Sequence, residues 1–432
     1  MYRTHFSNEI KPEDNVQVAG WVHDIRDIGK LIFITLRDRE GSVQITGKTG
    51  VTKPEVFEFL KKIGKEDVLS VTGKAEPSKQ APGGFEIKPD NAELVAASDK
   101  PLPLDVSGKI HSNIDTRLDN RFLDLRHREV VSIFKIQAKI QEAFGNSLRG
   151  QKFLEIQPPC IISSSSEGGA ELFALPYFNE EAFLAQSPQL YKQMAVVGGF
   201  DRVWMITPVW RAEMSHTVKH LTECRQMDIE MGFADDSGAM DVLEKVVENV
   251  FSEVNKHCTK DLETIGRKGF EVPKLPLRRI TYTEVLEMLA KEGINIKWGE
   301  DLSSPAEKKI CEIVGWETPF LITGWPTDIR AFYSMPDDEE PKKCKAFDLM
   351  YRGLELCSGA QRIHLPKLLE ERIKAKGMNP ENFTDYINTF RFGAPPHAGW
   401  SIGLERITMA ITGVENIREA TLFPRDPDRL RP

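Results

Sequence analysis

Three short stretches concentrate residue types that could act on charged ligands. Trp210-Arg211-Ala212-Glu213 sets an arginine and a glutamate two residues apart. On a strand that spacing turns both side chains to one side, and taken alone it reads as a structural ion pair. Gly399-Trp400-Ser401-Ile402-Gly403-Leu404-Glu405-Arg406 leads from two glycines to an arginine. At a strand-to-helix junction such glycines let the backbone approach a ligand while the arginine meets phosphate. In Asp348 to Arg362 (DLMYRGLELCSGAQR), Asp348 and Glu355 bracket a strand-like run. Hard oxygen donors of this kind suit Mg²⁺ with ATP phosphates, although two such acids by themselves are more often solvated surface groups. The patterns G-x-G-x-x-G and G-x-x-x-x-G-K-[ST] are absent, which removes the support for Rossmann and P-loop readings.

The elements that must position these residues fall into two sets. Val16 to Ile25, Leu31 to Asp38 and Ser42 to Thr46 read as strands, with turns at Gly29-Lys30 and Glu40-Gly41. Pro54 to Ile63 reads as a short amphipathic helix with Val56, Phe57 and Leu60 on one side. Asp67 to Ala75 and Gly84 to Ala96 return to strand character. Three strands, a helix and two strands is the order of a five-stranded OB barrel, an oligonucleotide-binding platform. The Pro-punctuated Asp99 to Leu104 marks a boundary. Beyond it a long helix is expected from Glu129 to Leu148, where Ile133, Ile136, Ile140 and Phe144 recur at three- and four-residue steps. Strand-like Arg202 to Val209, Arg225 to Phe233 and Cys344 to Cys357 then mix with helical Met240 to His257 and Leu365 to Lys376. That pattern predicts an antiparallel α+β domain. The expected organisation is a multidomain chain: an all-β OB barrel over 1–100, a linker over 101–128 and an α+β catalytic domain over 129–432.

Composition narrows the function classes. The 432 residues carry 57 Lys plus Arg against 65 Asp plus Glu, a formal net charge of −8. Non-specific nucleic-acid binding through bulk charge is therefore a poor expectation, and any such binding must come from local residues. Residues 1–100 hold 15 basic and 16 acidic side chains, so recognition there would rest on a few stacking and hydrogen-bonding groups. No apolar run is long enough to span a bilayer, and no apolar signal core follows the first residues. The six cysteines form no C-x-x-C pair, which points to reduced thiols and a cytoplasmic protein.

The charged stretches, taken in order, resemble the aspartyl-tRNA synthetases of the archaeal and eukaryotic branch of class IIb. Phe153-Leu154-Glu155-Ile156-Gln157-Pro158-Pro159 resembles motif 1, which in that class builds the dimer interface. Arg211-Ala212-Glu213 with His220-Leu221-Thr222-Glu223 resembles motif 2, and Gly403-Leu404-Glu405-Arg406 resembles motif 3. Ser166 to Phe173, Gln186-Ser187-Pro188-Gln189-Leu190-Tyr191-Lys192-Gln193, Phe347-Asp348-Leu349 and Glu355 to Arg362 are similar to signatures of the same family. With the barrel, the resemblance covers essentially the whole chain.

The resemblance implies an aspartate–tRNA ligase that joins L-aspartate to ATP and passes the aspartyl group to the 3′ end of tRNA(Asp). It implies catalytic roles for Arg211 and Arg406. Glu167, Gln189, Lys192, Arg211, Asp228, Ser358 and Arg362 would bind aspartate, with Lys192 and Arg362 on its side-chain carboxylate. Arg211, Glu213, Lys219, His220, Leu221, Glu355, Gly403, Leu404, Glu405 and Arg406 would bind ATP. Asp348, Glu355 and Ser358 would hold Mg²⁺. Phe33, Gln44 and Glu86 would read the anticodon, and a homodimer and no membrane contact are implied. For Phe33 the competing reading is a barrel core residue, so Ile32 and Ile34 must face the interior if it stacks on a base.

Two departures stand out: Cys224 occupies the place of an adenine-stacking aromatic, and Gly359-Ala360 that of a Gly-Gly pair. By the same resemblance, the choice between the aspartate and asparagine tRNAs would fall to His23 and Pro82, which stand where relaxed members of the family carry an aromatic and a loop lysine. A histidine nitrogen able to pair with one base edge, beside a loop proline without a donor, gives the expectation of a discriminating enzyme. A non-discriminating ligase, an asparaginyl-tRNA synthetase and an inactive RNA-binding paralogue are the alternatives. Lys192 and Arg362 argue against the asparaginyl reading, because two cations match a neutral amide poorly. Retention of Arg211, Glu213, Glu355 and Arg406 argues against the inactive one.

Overall fold

The computed structural model describes residues 2–163, 171–214 and 217–432, which fall into two compact units, 1–131 and 132–432. Glu167 and most of the Ser166 to Phe173 signature lie outside the described residues.

In the first unit, β1 (Asn15–Asp27), β2 (Leu31–Arg37), β3 (Ser42–Lys48), β4 (Val68–Pro77) and β5 (Phe85–Ala96) close a barrel in the order β1-β2-β3-β5-β4. Helix α1 (Pro54–Leu60) lies between β3 and β4 in sequence and buries Val56, Phe57 and Leu60. This is the OB order expected from the alternation. Ile32, Ile34, Val43, Ile45 and Ile87 point into one apolar core, so their sequence neighbours must point out. The 101–128 stretch carries two short helices, α2 (Ile114–Asp119) and α3 (Arg121–Asp124). They surround a fully buried carboxylate: Asp124 meets Arg117 at 2.8 Å, Arg121, and His127 at 3.4 Å. These cations hold Asp124 down at about 2, although burial opposes them.

The long helix α4 (Arg128–Gly150) buries Ile136, Ile140 and Phe144 as its periodicity requires. It is followed by β6 (Leu154–Glu155), a small sheet of β7 (Ile161–Ile162), β8 (Ala174–Tyr177) and β9 (Glu180–Leu184), and helix α5 (Gln189–Ala195). Strands β10 (Arg202–Trp210) and β11 (Glu223–Gly232) precede helices α6 (Asp236–His257) and α7 (Thr259–Thr264). Then come β12 (Arg278–Thr281), α8 (Tyr282–Lys291), α9 (Ser304–Val314) and β13 (Phe320–Thr323). The chain closes with β14 (Ala346–Tyr351), β15 (Leu354–Arg362), α10 (Pro366–Ala375), α11 (Thr384–Arg391), β16 (His397–Gly403) and α12 (Leu404–Thr412).

The main sheet has eight strands in the order β12-β13-β14-β15-β16-β11-β10-β6, antiparallel except at its two outer pairs. One face packs on α4, α6 and α12 through Met227, Ile229, Phe347, Leu349, Trp400 and Ile402. At the β12 to β15 end, α8 and α9 cover the other face through Ile280, Ile322, Met350 and Ala360.

One expectation is corrected here. Cys344 to Cys357 is not a single strand bracketed by Asp348 and Glu355. It turns at Arg352-Gly353, with φ of +51° and +74°, and the two acids lie on opposite arms of a β14–β15 hairpin. Two successive positive φ values are what a two-residue hairpin loop needs to match the twist of its strands.

Candidate active site

The central strands alternate apolar and polar residues, so one face of the sheet is a polar row. Asp228 and Glu230 on β11, Ser358 and Arg362 on β15, and Ser401 on β16 share that face. The pairings Asp228 to Ser401, Ser358 to Ser401, Glu230 to Gly399 and Arg362 to His397 set the row. Gly399 is needed: a Cβ there would lie 2.3 Å from Glu230 Oε2. A bare backbone lets that carboxylate cross the strand.

At one end of the row the charges are buried and paired. Helix α5 presents Gln189, Lys192 and Gln193 on one side, at three- and four-residue steps. Lys192 Nζ is 2.6 Å from Asp228 Oδ1 and 3.6 Å from Glu230 Oε2. Arg362 Nε donates to Glu230 Oε1 at 3.0 Å and Nη2 to Oε2 at 3.3 Å. Ser401 Oγ donates to Asp228 at 3.2 Å. Burial would raise Glu230, but Arg362 and then Lys192 hold it below the ordinary carboxylate range. The structure thus gathers Gln189, Lys192, Asp228, Ser358 and Arg362 on this face. Glu230, which joins the two cations, carried no signal in the sequence beyond an acid in an apolar run.

At the other end lie the groups suited to phosphate. Strand β10 ends at Trp210, before Arg211, so Arg211 and Glu213 do not share a strand face. They sit in the following irregular segment, anchored by Arg211 N–H to Thr222 O at 3.0 Å, with guanidinium and carboxylate 3.6 Å apart. Arg406, in the first turn of α12, donates to the Glu355 carbonyl at 3.1 Å and faces its carboxylate at 3.6 Å. His220 bonds Thr217, and its proton affinity is lowered by burial and then by Arg406. Lys219 Nζ bridges Glu307 of α9 at 3.3 Å and the Gly353 carbonyl at 3.0 Å. Burial raises Glu307, another acid that sequence reasoning passed over.

Gly403 caps α12, and the junction has the strand-to-helix form expected of it. Leu221 and Leu404 are buried in the core. Glu405 turns away from Arg406 and accepts the Arg225 N–H through both oxygens at 3.1 Å; burial pushes it up to about 7. Cys224 is likewise pushed up to about 12 by burial, so its thiol stays neutral. Ala360 lies extended in β15, where its methyl is buried without backbone strain.

Asp348 and Ser358 are paired across the β14–β15 hairpin. Asp348 is buried against Arg330, and its Oδ1 has no hydrogen-bond partner. Burial raises Asp348 despite Arg330, and Glu355 adds repulsion. Arg330 Nη1 lies 3.4 Å from Ser358 Oγ. Among the described residues no three acids, histidines or cysteines cluster as a ready metal cage. Two carboxylates with an unsatisfied oxygen fit Mg²⁺, which takes one or two protein carboxylates and completes its shell with phosphate and water.

On the barrel, Ile32 and Ile34 are buried and Phe33 faces outward, half-buried, so the core reading of Phe33 fails. Phe33 pairs with Thr46, and Thr35 with Gln44. Glu86 Oε2 accepts from Gln44 Nε2 at 3.0 Å and from Thr46 Oγ1 at 2.5 Å, while Lys88 pairs with Oε1. Phe33, Gln44 and Glu86 thus stand on one outer face of β2, β3 and β5. His23 occupies a bulge in β1, with Nδ1 3.1 Å from Arg37 Nη1. Pro82 starts a one-turn helix before β5.

The family described as tRNA synthetases class II (D, K and N) matches residues 113–427, and an OB-fold nucleic acid binding domain matches residues 16–95. The aspartate--tRNA(Asp/Asn) ligase of Methanocaldococcus jannaschii is 51% identical over all of this chain and 98% of its own. The protein of the same name from Archaeoglobus fulgidus is 48% identical over 99% of each. Among solved structures, asparaginyl-tRNA synthetase from Pyrococcus horikoshii with asparaginyl-adenylate superposes with a TM-score of 0.93 at 33% identity over both whole chains. Aspartyl tRNA synthetase from Entamoeba histolytica gives 0.86 at 36%, over 98% of this chain and 90% of its own. A barrel of OB order, an antiparallel sheet with a polar row between an arginine-bearing loop and an arginine-bearing helix start, and relatives matched end to end lead to one assignment: the chain belongs to the class II aminoacyl-tRNA synthetases, in the aspartate–tRNA ligase family.

Proposed function

We propose that the chain activates L-aspartate with ATP and transfers it to the 3′ end of tRNA. The observation that carries the choice of amino acid is the pair of buried cations, Lys192 and Arg362, held on Glu230. Each cation already has a carboxylate partner, and a substrate side-chain carboxylate adds a charged, planar acceptor that suits the guanidinium, where a neutral amide offers no charge to the pair. This weighs against the asparaginyl reading despite the likeness to an asparaginyl-tRNA synthetase. Gln189, Asp228 and Glu167 would receive the substrate's ammonium.

The aspartate α-carboxylate then attacks the α-phosphorus in line, and pyrophosphate leaves. The chain's part is to position the two reactants and to neutralise charge. Arg211 would bridge the substrate carboxylate and the α-phosphate, and Arg406 would meet the outer phosphates with His220 and Lys219. Glu213 would accept from the adenine amino group. Asp348, Glu355 and Ser358 would hold Mg²⁺, which supplies a counter-charge for the phosphates. We keep a barrel domain over 1–100, a connecting segment over 101–128 and a catalytic domain over 129–432. A homodimer is supported by apolar exposure around the segment resembling motif 1, at Leu154, Ile161, Tyr177 and Phe178. Light scattering of the active protein tests it, and a fully active monomer stable to dilution overturns it.

For tRNA choice, the relatives' shared name favours the relaxed reading over the discriminating one. The placement of His23 agrees with that: its Nδ1 is occupied by Arg37, and burial and then Arg37 lower its proton affinity. A ring held in this way is poorly placed to select a base edge. ATP–pyrophosphate exchange with aspartate or asparagine, followed by charging of both purified transcripts, tests the whole reading. Aspartate-dependent exchange and charging of both tRNAs within about tenfold, a difference of ~1.4 kcal/mol, are expected. Exchange with asparagine alone overturns the amino-acid assignment. Charging of the aspartate tRNA alone overturns the relaxed one.

A further inference from the structure

We propose that Gln193, Tyr386 and His397 are positioning residues that fix the direction of the Gln189 amide, and with it the pocket's hold on the substrate's ammonium group. The inference rests on the reading of Gln189 as an ammonium contact. None of the three is among the residues assigned to the substrate, and they come from α5, α11 and β16.

The argument starts from a group whose polarity is fixed. The Pro395 carbonyl can only accept, and His397 Nδ1 lies 2.9 Å from it, so Nδ1 carries the ring proton. The ring is fully buried and stacked on Phe390 with 5.7 Å between centroids. Burial lowers its proton affinity, so the imidazole is neutral and Nε2 is an acceptor. Gln193 Nε2, 2.8 Å away, must donate to it. That turns Gln193 Oε1 to the opposite side, where the Tyr386 hydroxyl donates at 2.9 Å and Gln189 Nε2 at 2.7 Å. Gln189 therefore spends its nitrogen inward and leaves its carbonyl oxygen, the only end that can accept from an ammonium, for the ligand. Reversing one amide would set donor against donor all along the chain. The backbone-anchored ring of His397, through Gln193 and with the Tyr386 hydroxyl, thus decides how Gln189 presents itself to the substrate.

The test separates ammonium recognition from pocket shape. Aspartate KM is measured in ATP–pyrophosphate exchange, alongside competitive inhibition by succinate, which has both carboxylates and no ammonium. Gln193→Met, close in volume and without polar direction, is expected to raise aspartate KM about tenfold, the size of one net hydrogen bond. Succinate inhibition, ATP KM and kcat should stay within about twofold. His397→Phe keeps the stack on Phe390 but removes the acceptor; it should give the same split and decides the matter if Gln193→Met does not fold. Equal weakening of aspartate and succinate, or no change in either, overturns the proposal. Gln189→Met is the control: if it leaves aspartate KM unchanged, the ammonium reading of Gln189 fails first. If it raises KM while Gln193→Met and His397→Phe do not, only the positioning role is lost.

Discussion

The proposed aspartate pocket and the outer face of the barrel are built alike and finished differently. Each is a row of polar side chains on neighbouring strands whose alternate residues fill a core. In the pocket, Lys192, Asp228, Glu230 and Arg362 are almost fully buried and locked into ion pairs. On the barrel, Phe33, Gln44 and Glu86 stay half-exposed, and Glu86 is held low by Lys88 and Thr46 although burial opposes them. A small charged ligand in the pocket would meet groups already stripped of water and fixed in place. A flexible polynucleotide loop on the barrel would meet a face that keeps stacking area and acceptors open. The costs of change should differ accordingly: large and all-or-none in the pocket, graded and separable on the barrel.

Lys192→Met is the strongest test of that contrast. It leaves Asp228 and Glu230 buried with Arg362 alone, a loss of about 3–5 kcal/mol for a broken buried pair. Aspartate-dependent pyrophosphate exchange should disappear, with circular dichroism checking the fold; unchanged aspartate KM and kcat would remove Lys192 from the pocket. Arg211→Ala should lower exchange about 10²–10³-fold, the worth of one transition-state counter-charge. Activity within a few-fold of the parent would take Arg211 out of the mechanism. On the barrel, Phe33→Ala should weaken tRNA charging by ~1–3 kcal/mol, the value of one base stack, and leave exchange alone. Equal loss in both assays would erase the contrast.

A buried charge also lies in the barrel's own unit, at Asp124, and its behaviour sharpens the comparison. Its pKa is depressed to about 2, so the stability it adds is complete above the ordinary carboxylate range and disappears as pH falls from about 4 toward 2. The shift corresponds to ~2 kcal/mol. Asp124→Asn should lower denaturant stability by that order at pH 7, and the gap between variant and parent should close at acid pH. A gap that persists at pH 2 would mean packing, not charge, holds the site. The smallest effect is expected for Glu307→Gln, which leaves Lys219 bound to the Gly353 carbonyl. ATP KM should change by only a few-fold, as for one partly exposed ion pair of ~0.5–1 kcal/mol, and aspartate KM should not move. A larger effect on aspartate than on ATP would place Glu307 elsewhere in the reaction.

Several parts of this molecule were legible in the linear chain. The barrel strands, the helix between them and α4 follow from local periodicity, which each segment carries within itself. Gly403-Leu404-Glu405-Arg406 announced a strand-to-helix junction by composition. The β14–β15 hairpin within Cys344 to Cys357 was not legible, and the reason is physical. A strand's end and a two-residue turn depend on what the next segment pairs with, and Arg352-Gly353 is a weak turn signal.

The sequence by itself determined which residues are apolar and at what period. It therefore settled the barrel order, the long helix and the presence of charged residues inside core-forming strands. Only the tertiary structure decided which charges meet. Arg362 pairs with Glu230 132 positions away, Lys192 with Asp228 36 away, and Gln193 with His397 204 away. Nothing local distinguishes Glu230 or His397 from any other acid or imidazole. Their roles come from burial beside particular partners, because removal from water makes a charge or an amide direction matter enough to be fixed.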